Sequence, residues 1–159
     1  MYDRILVPLD GSKMGEAALP VIEELVSKLS PGHKVEVTLF QVVLSTHWVV
    51  AAEASIPVPY TEQELRPIKQ KAQEYLENTS ASLRSKGAIV KTKVSIGRLA
   101  EEIIKAADEI NADLIAMSTH GRSGVSRWAL GNVTDKVLRA GKIPVLTVRV
   151  PKGSESMAT

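Results

Sequence analysis

The chain has 159 residues with a formal net charge of +2, and 44% of its residues are hydrophobic. This length and composition predict one soluble globular domain and exclude a disordered chain. Basic and acidic residues are nearly balanced and only one Phe and three Tyr are present, so we expect no nucleic-acid partner. We expect residues 1–150 to form the domain and residues 151–159 a disordered tail.

Cysteine is absent, which excludes disulfides, thiolate metal sites and a cysteine nucleophile. The three histidines, His33, His47 and His120, show no metal-ligand spacing. No apolar run approaches the roughly 20 residues of a membrane span, and the N-terminus lacks the features of a signal peptide. We therefore expect a cytoplasmic protein with neither a membrane partner nor a metal site.

Strand and helix patterns alternate along the chain. The predicted strands cover residues 4–9, 34–43, 89–95, 113–117 and 144–150. The predicted helices cover residues 13–30, 62–86, 99–110 and 132–140. Alternating strands and helices favour a mostly parallel sheet with helices on both faces, whose ligands bind at the carboxyl ends of the strands.

Three local features carry predictions of their own. Pro20 lies inside the first predicted helix and should kink it or cost it about 3 kcal/mol, unless packing compensates. Thr61 and Glu64 match a capping box that begins the second helix. Residues 44–60 form a long connection in which 48–52 could be a short helical turn; it serves either local packing or contact with a partner or ligand.

The stretch 113–134 reads as a buried strand, a polar turn with glycines, and then the start of a helix. Unpaired N–H groups at a helix start attract phosphate groups, so this order of elements is typical of nucleotide sites. There is no Walker A sequence, no GxGxxG after a strand and no GxSxG elbow. A P-loop NTPase, an ordinary dinucleotide site and an α/β-hydrolase are therefore unsupported.

The motifs nevertheless resemble the universal stress protein family over nearly the whole length. The resemblance is carried by five stretches: ILVPLDGS at 5–12, ADLIAM at 112–117, HGRSG at 120–124, LGNVT at 130–134 and IPVLTV at 143–148. It implies a three-layer α/β fold with a five-stranded, mostly parallel sheet of order 3-2-1-4-5. Such a fold is Rossmann-like and similar to the adenine nucleotide alpha hydrolases.

ATP-binding members of that family carry Gly, two residues, Gly, nine residues, and then Gly followed by Ser or Thr. The corresponding positions here are Ser118, Gly121, Gly131 and Asn132, so the first and last depart from the pattern. Serine is small and can itself contact phosphate or ribose, while Asn caps helices as well as Ser and can donate to an anion. The glycines of the backbone cradle are retained.

The resemblance implies a nucleotide site with a role for each matching residue. Asp10, beside Pro8 and Leu9, would accept hydrogen bonds from the ribose or adenine, or else cap a turn. Val42 or Val43 would pack on adenine or only in the core. Met117 with Ser118 would line the ribose, although Met117 could equally belong only to the core. The phosphates would lie near His120, Gly121, Arg122, Gly131, Asn132, Val133 and Thr134. Arg122 could equally be a solvated loop residue, and His120 could bond its own turn.

The function implied by the resemblance is an adenine-nucleotide-binding regulator of the stress response, holding ATP or AMP, possibly with Mg²⁺. Asp10 is the only carboxylate placed near the site, so we assign no catalytic residue and expect any ATP hydrolysis to be slow. The resemblance also implies a homodimer through the C-terminal strand from Val145 to Val150. The alternative is a nucleotide-independent dimeric interaction protein of the same fold.

Overall fold

The computed structural model describes residues 2–119 and 132–150. The strands are β1 (Arg4–Leu9), β2 (Glu36–Val43), β3 (Thr46–Ala51), β4 (Ala54–Pro59), β5 (Ile89–Ile96), β6 (Leu114–Ser118) and β7 (Val145–Val148). The α-helices are α1 (Leu19–Ser27), α2 (Glu62–Ser85), α3 (Leu99–Glu109) and α4 (Asn132–Ala140). A 3-10 helix, Met14–Ala18, precedes α1.

Five strands form one parallel sheet in the order β5-β2-β1-β6-β7. Counted among the strands of that sheet alone, the order is 3-2-1-4-5, which confirms the predicted fold class. The register sets Leu9 beside Gln41 and Ser118 beside Val148. All five carboxyl ends therefore lie along one edge of the sheet, which we call the carboxyl edge.

Two apolar layers cover the sheet because successive strand residues point to opposite faces. The layer under α1 and α2 includes Ile5, Val7, Leu9, Ile22, Val37, Leu39, Leu76, Leu83, Leu114 and Ala116. The layer under α3 and α4 includes Leu6, Phe40, Ile103, Ala107, Ile115, Met117 and Val137. Near-continuous apolar strands are what a sheet buried on both faces requires.

The predicted helix over 13–30 is wrong in its first part and in the role of Pro20. The chain forms the 3-10 helix first, and α1 then begins at Leu19. Pro20 thus lies in the first turn of α1, where its missing N–H has no intrahelical partner to lose. A new helix begins there, and no kink is needed.

Residues 44–60 also differ from the prediction. Residues 48–52 are not a helical turn: β3 and β4 pair in an antiparallel hairpin. Its turn joins Ala51 to Ala54, and Ala52 there has a positive φ of 56°. Hairpin turns with a positive φ usually contain Gly or Asn. Because position 52 is Ala, the sequence here lacks the residues by which such a turn is normally predicted.

Two other predictions are confirmed, the capping box and the edge position of β5. The capping box at the start of α2 is present, with the Thr61 hydroxyl and the Glu64 carboxylate each accepting from the other's backbone N–H. β5 lies at one edge of the sheet. Among the helices that the structure describes, none is long and apolar enough to cross a membrane.

Candidate functional site

The carboxyl edge opens between β1 and β6, the two central strands. They pair at Ile5 with Leu114 and at Leu6 with Ile115, and within the described residues this pairing goes no further. Both strands continue, to Leu9 and to Ser118. β1 connects to a strand on one side and β6 to a strand on the other, so this opening is the switch point at which α/β sheets bind ligands.

The loop after β1 is closed by its own side chains. One carboxylate oxygen of Asp10 accepts from the Ser12 backbone N–H at 2.9 Å and from the Ser12 hydroxyl at 2.6 Å. The Ser12 hydroxyl oxygen in turn accepts from the Gly15 N–H at 3.0 Å. Asp10 therefore does cap a turn, as one of its two predicted roles proposed.

Gly15 belongs to this loop although no sequence prediction singled it out. A Cβ at Gly15 would lie 2.3 Å from the Asp10 Oδ1 atom and 3.3 Å from the Ser12 hydroxyl oxygen. Only glycine allows the 3-10 helix to approach the two side chains this closely. The spacing of Asp10, Ser12 and Gly15 was the available signal, but its meaning depends on the fold.

Ser118 joins this loop to the end of β6. Its hydroxyl donates to the Gly15 carbonyl oxygen at 3.1 Å, across 103 positions of sequence. The residue at the first position of the phosphate motif therefore holds the 3-10 helix against the switch point.

Thr119 is a second polar residue at this point that the sequence predictions missed. It is 8% exposed, and its N–H donates to the Val148 carbonyl oxygen at 2.9 Å. Its hydroxyl oxygen is buried without a hydrogen-bond partner among the described residues. A buried hydroxyl without a partner costs free energy, and a ligand that supplied a partner would remove this cost.

The other predicted residues on strands lie on different faces of the sheet. Met117 is buried and Val42 is half-buried in the layer under α3 and α4, whereas Ser118 faces the 3-10 helix on the opposite side. Val43, one residue beyond Val42, is buried on the side opposite to it. A ligand lying on one face would contact only one member of each pair, whereas a ligand across the edge could reach both.

Asn132, Val133 and Thr134 form the first turn of α4. Asn132 is exposed, Val133 packs against the apolar layer and Thr134 is buried. Since only residues 141–144 separate α4 from the start of parallel β7, α4 runs back from the carboxyl edge. Its N-terminus and the partial positive charge there consequently face the same edge as Asp10.

A hydrogen bond between Tyr75 and Glu16 joins α2 to the 3-10 helix. The Tyr75 hydroxyl on α2 donates to the Glu16 Oε1 atom at 2.9 Å, and the Lys13 ammonium lies 3.2 Å from Glu16 Oε2. Burial, and then the hydrogen bond to Glu16, hold the pKa of Tyr75 well above its usual range. The pair keeps Tyr75 neutral and ties α2 to the site loop.

The sequence matches the description "Universal stress protein family" over residues 1–149. The chain belongs to the universal stress protein family. A universal stress protein of Methanothermobacter thermautotrophicus is 30% identical over 152 residues, covering 94% of this chain and 97% of that protein. Universal stress protein MJ0577 of Methanocaldococcus jannaschii is 29% identical over 159 residues, covering 94% of this chain and 96% of that protein.

The solved structure of MJ0577 has a TM-score of 0.71 with 25% identity, and the match covers 96% of this chain and 99% of that one. A universal stress protein family protein of Arabidopsis thaliana, solved with AMP bound, has a TM-score of 0.65 at 15% identity, covering 96% of this chain and 94% of that one. At that identity the likeness establishes the shared fold. Other solved relatives of this fold are in complex with cAMP or with dAMP.

Within this universal stress protein, the structure brings together part of the predicted site. Pro8, Leu9 and Asp10 end β1 beside Ser118 and the 3-10 helix, and α4 begins at Asn132. Four predicted phosphate-side residues lie outside the described residues: His120, Gly121, Arg122 and Gly131.

Proposed function

We propose that this universal stress protein is an adenine-nucleotide-binding regulator of the stress response, which holds ATP or AMP at the carboxyl edge. The observation that carries the proposal is that Asp10 and Ser118, from the ends of β1 and β6, meet at the segment from Ser12 to Gly15 beside the switch point. Relatives of the same fold are known with AMP, cAMP or dAMP bound, which supports an adenine ligand.

The proposed contacts follow the sequence motif. Asp10, with Pro8 and Leu9, Val42 or Val43, Met117 and Ser118 would face the adenine and ribose. The phosphates would be held by backbone N–H groups and short polar side chains at His120, Gly121, Arg122, Gly131, Asn132, Val133 and Thr134. The start of α4 would add its dipole to this cradle.

Any Mg²⁺ would be held mainly by the nucleotide. Among residues 2–119 and 132–150, no three His, Cys, Asp or Glu side chains are grouped as metal ligands. A magnesium ion bound through phosphates needs one or two carboxylates at most. We propose slow hydrolysis at most, since phosphoryl transfer needs a residue that positions the nucleophile as well as a carboxylate, such as Asp10, that holds the metal.

The test is direct. Mass spectrometry of the freshly purified protein should detect a co-purifying adenine nucleotide, and calorimetry on the stripped protein should measure rebinding of ATP and AMP. Gly131→Val should abolish rebinding, because a branched side chain would enter the backbone cradle. Ser82→Val, on the exposed surface of α2, is the control. Absence of binding at millimolar nucleotide in the folded wild type would refute the proposal.

The alternative is a nucleotide-independent interaction protein. One observation favours it: Ser118 uses its hydroxyl to hold the Gly15 carbonyl, so the first motif position is engaged with the protein itself. In that case Gly131→Val would leave folding, association and function unchanged.

We also propose a homodimer through the C-terminal strand from Val145 to Val150. β7 is the other edge of the sheet. An apolar groove of about 390 Å³ runs beside it, lined by Tyr2, Val21, Leu25 and Leu146 among others. A second β7 would cover both the open edge and this groove.

A further inference from the structure

The β3–β4 hairpin presents apolar side chains to solvent. Trp48 is 68% exposed, Val50 78% and Ile56 48%. Residues of these kinds are usually buried, and a group of them on one small element indicates a contact surface. The family site at the carboxyl edge does not account for them.

The hydrogen-bond register of the hairpin distinguishes its two outer edges. The Tyr60 N–H donates to the Ser45 carbonyl oxygen at 3.0 Å, which makes 45 and 60 a hydrogen-bonded pair. In an antiparallel ladder such pairs alternate, so the next ones are 47 with 58, 49 with 56 and 51 with 54. The backbone groups that point away from the hairpin belong to Thr46, Trp48, Val50, Ser55, Pro57 and Pro59.

The edge of β4 is closed to further pairing. Pro57 and Pro59 occupy two of its outward positions, and proline has no N–H to donate. The edge of β3 keeps the outward N–H and carbonyl groups of Thr46, Trp48 and Val50. Natural edge strands are protected by lysines or other charges, but residues 44–60 hold one charged side chain, Glu53, at the tip.

We propose that β3 pairs antiparallel with β3 of a second copy of this chain, centred on Trp48, to form a four-stranded sheet. In this register Trp48 lies opposite its own copy and Thr46 lies opposite Val50. All three residues point their backbone groups outward, so each pair can exchange both hydrogen bonds. Among registers with a twofold axis, only this one pairs all three outward residues of one strand with all three of the other. The outward groups of β3 are therefore complementary to those of a second β3.

Charge and area support the same partner. The paired strands carry no charged side chain, so two copies meet without like-charge repulsion. With Trp48 and Val50 covered, a symmetric pair buries on the order of 1,000 Å², at the lower limit of specific interfaces. The association should therefore be weak and dependent on concentration, and it is independent of the proposed nucleotide site.

Because the chain has no cysteine, a single engineered thiol reports this pairing. Hydrogen-bonded antiparallel partners have Cα atoms about 5.5 Å apart, within the range of a disulfide. Under mild oxidation Trp48→Cys should give a covalent dimer. Ile56→Cys, equally on the hairpin but on the closed β4 side, should form no covalent dimer, because the two β3 strands would separate its copies. No cross-link at position 48, or equal cross-linking at 56, overturns the proposal.

A second measurement keeps Trp48 in place. In sedimentation equilibrium, a chain carrying Thr147→Pro, which blocks the proposed β7 dimer, should gain a species of doubled mass as its concentration rises. Val50→Pro removes an outward N–H without touching the inner ladder and should lose that species, whereas Val50→Thr should retain it. If the mass of the Thr147→Pro chain never changes with concentration, self-pairing through β3 is refuted, even if the hairpin captures an extended peptide instead.

Discussion

Thr119 follows β6 directly, and its hydroxyl is buried without a hydrogen-bond partner among the described residues. Thr119→Val removes the unsatisfied group at nearly constant volume, so the free protein should gain roughly 1 kcal/mol of unfolding free energy. If the hydroxyl contacts nucleotide, affinity should fall at the same time. Urea unfolding without ligand and calorimetry with AMP measure the two effects.

Thr38 offers the matched control. Its hydroxyl is also buried without a partner among the described residues, but it lies in the middle of β2. Thr38→Val should stabilise the protein similarly and leave nucleotide affinity unchanged. If Thr119→Val lowers stability, the hydroxyl has a structural partner and our interpretation of Thr119 is wrong.

Tyr75 should make the free energy of unfolding depend on pH. Its pKa in the folded protein is raised, mainly by burial and then by the hydrogen bond to Glu16. The unfolded chain therefore loses the Tyr75 proton at a lower pH than the folded protein does. Its contribution to stability is therefore complete below the ordinary tyrosine pKa of about 10 and is lost as the pH rises beyond it.

An absorbance titration should show tyrosinate forming late, well above the ordinary range, or only together with unfolding. Tyr75→Phe should remove that late step and flatten the loss of stability above about pH 10. Persistence of the step in Tyr75→Phe would assign it to another group.

At the scale of elements, two helices contain a proline at different distances from the helix start, and the cost of each proline to stability can be compared. Pro67 lies in the second turn of α2, where it removes an intrahelical hydrogen bond, and it is exposed. Pro67→Ala should raise the unfolding free energy by up to about 3 kcal/mol. Pro20→Ala, in the first turn of α1, should change it by well under about 1 kcal/mol. Equal effects in chemical denaturation would contradict the assigned helix starts.

The elements also indicate what a sequence can predict. The sheet strands were predicted because continuous apolar runs between helical patterns have few other solutions. The hairpin was missed because its turn contains Ala52 rather than Gly or Asn, and because Pro57 and Pro59 argue against a strand. The 3-10 helix was missed because its apolar spacing resembles that of the following α-helix.

For the candidate site, too, some features could be predicted from the sequence and others could not. The positions of Asp10 and Ser118 at the carboxyl edge could be predicted, because polar residues at the end of a buried strand fall on that edge of the sheet. The contact between Ser118 and Gly15 could not, since it joins residues 103 positions apart and exists only once β1 and β6 are neighbours. The burial of the Thr119 hydroxyl depends on packing that no local pattern encodes.

At the scale of the whole molecule, β7 would form the interface of the proposed dimer. The Ile115 and Thr119 N–H groups donate to the carbonyl oxygens of Pro144 and Val148, so these even-numbered residues face β6. In a parallel strand the intervening residues, Thr147 among them, point their N–H and carbonyl groups to the open edge. That edge can be blocked without disturbing the sheet.

Thr147→Pro should therefore abolish β7 pairing and leave a folded chain of half the mass, because proline removes only an outward donor. Thr147→Val keeps the N–H and should remain dimeric. Light scattering after size-exclusion chromatography measures the mass, and circular dichroism checks the fold. A Thr147→Pro dimer that persists on dilution would move the interface away from β7, and cross-linking at position 48 would then show whether β3 holds it.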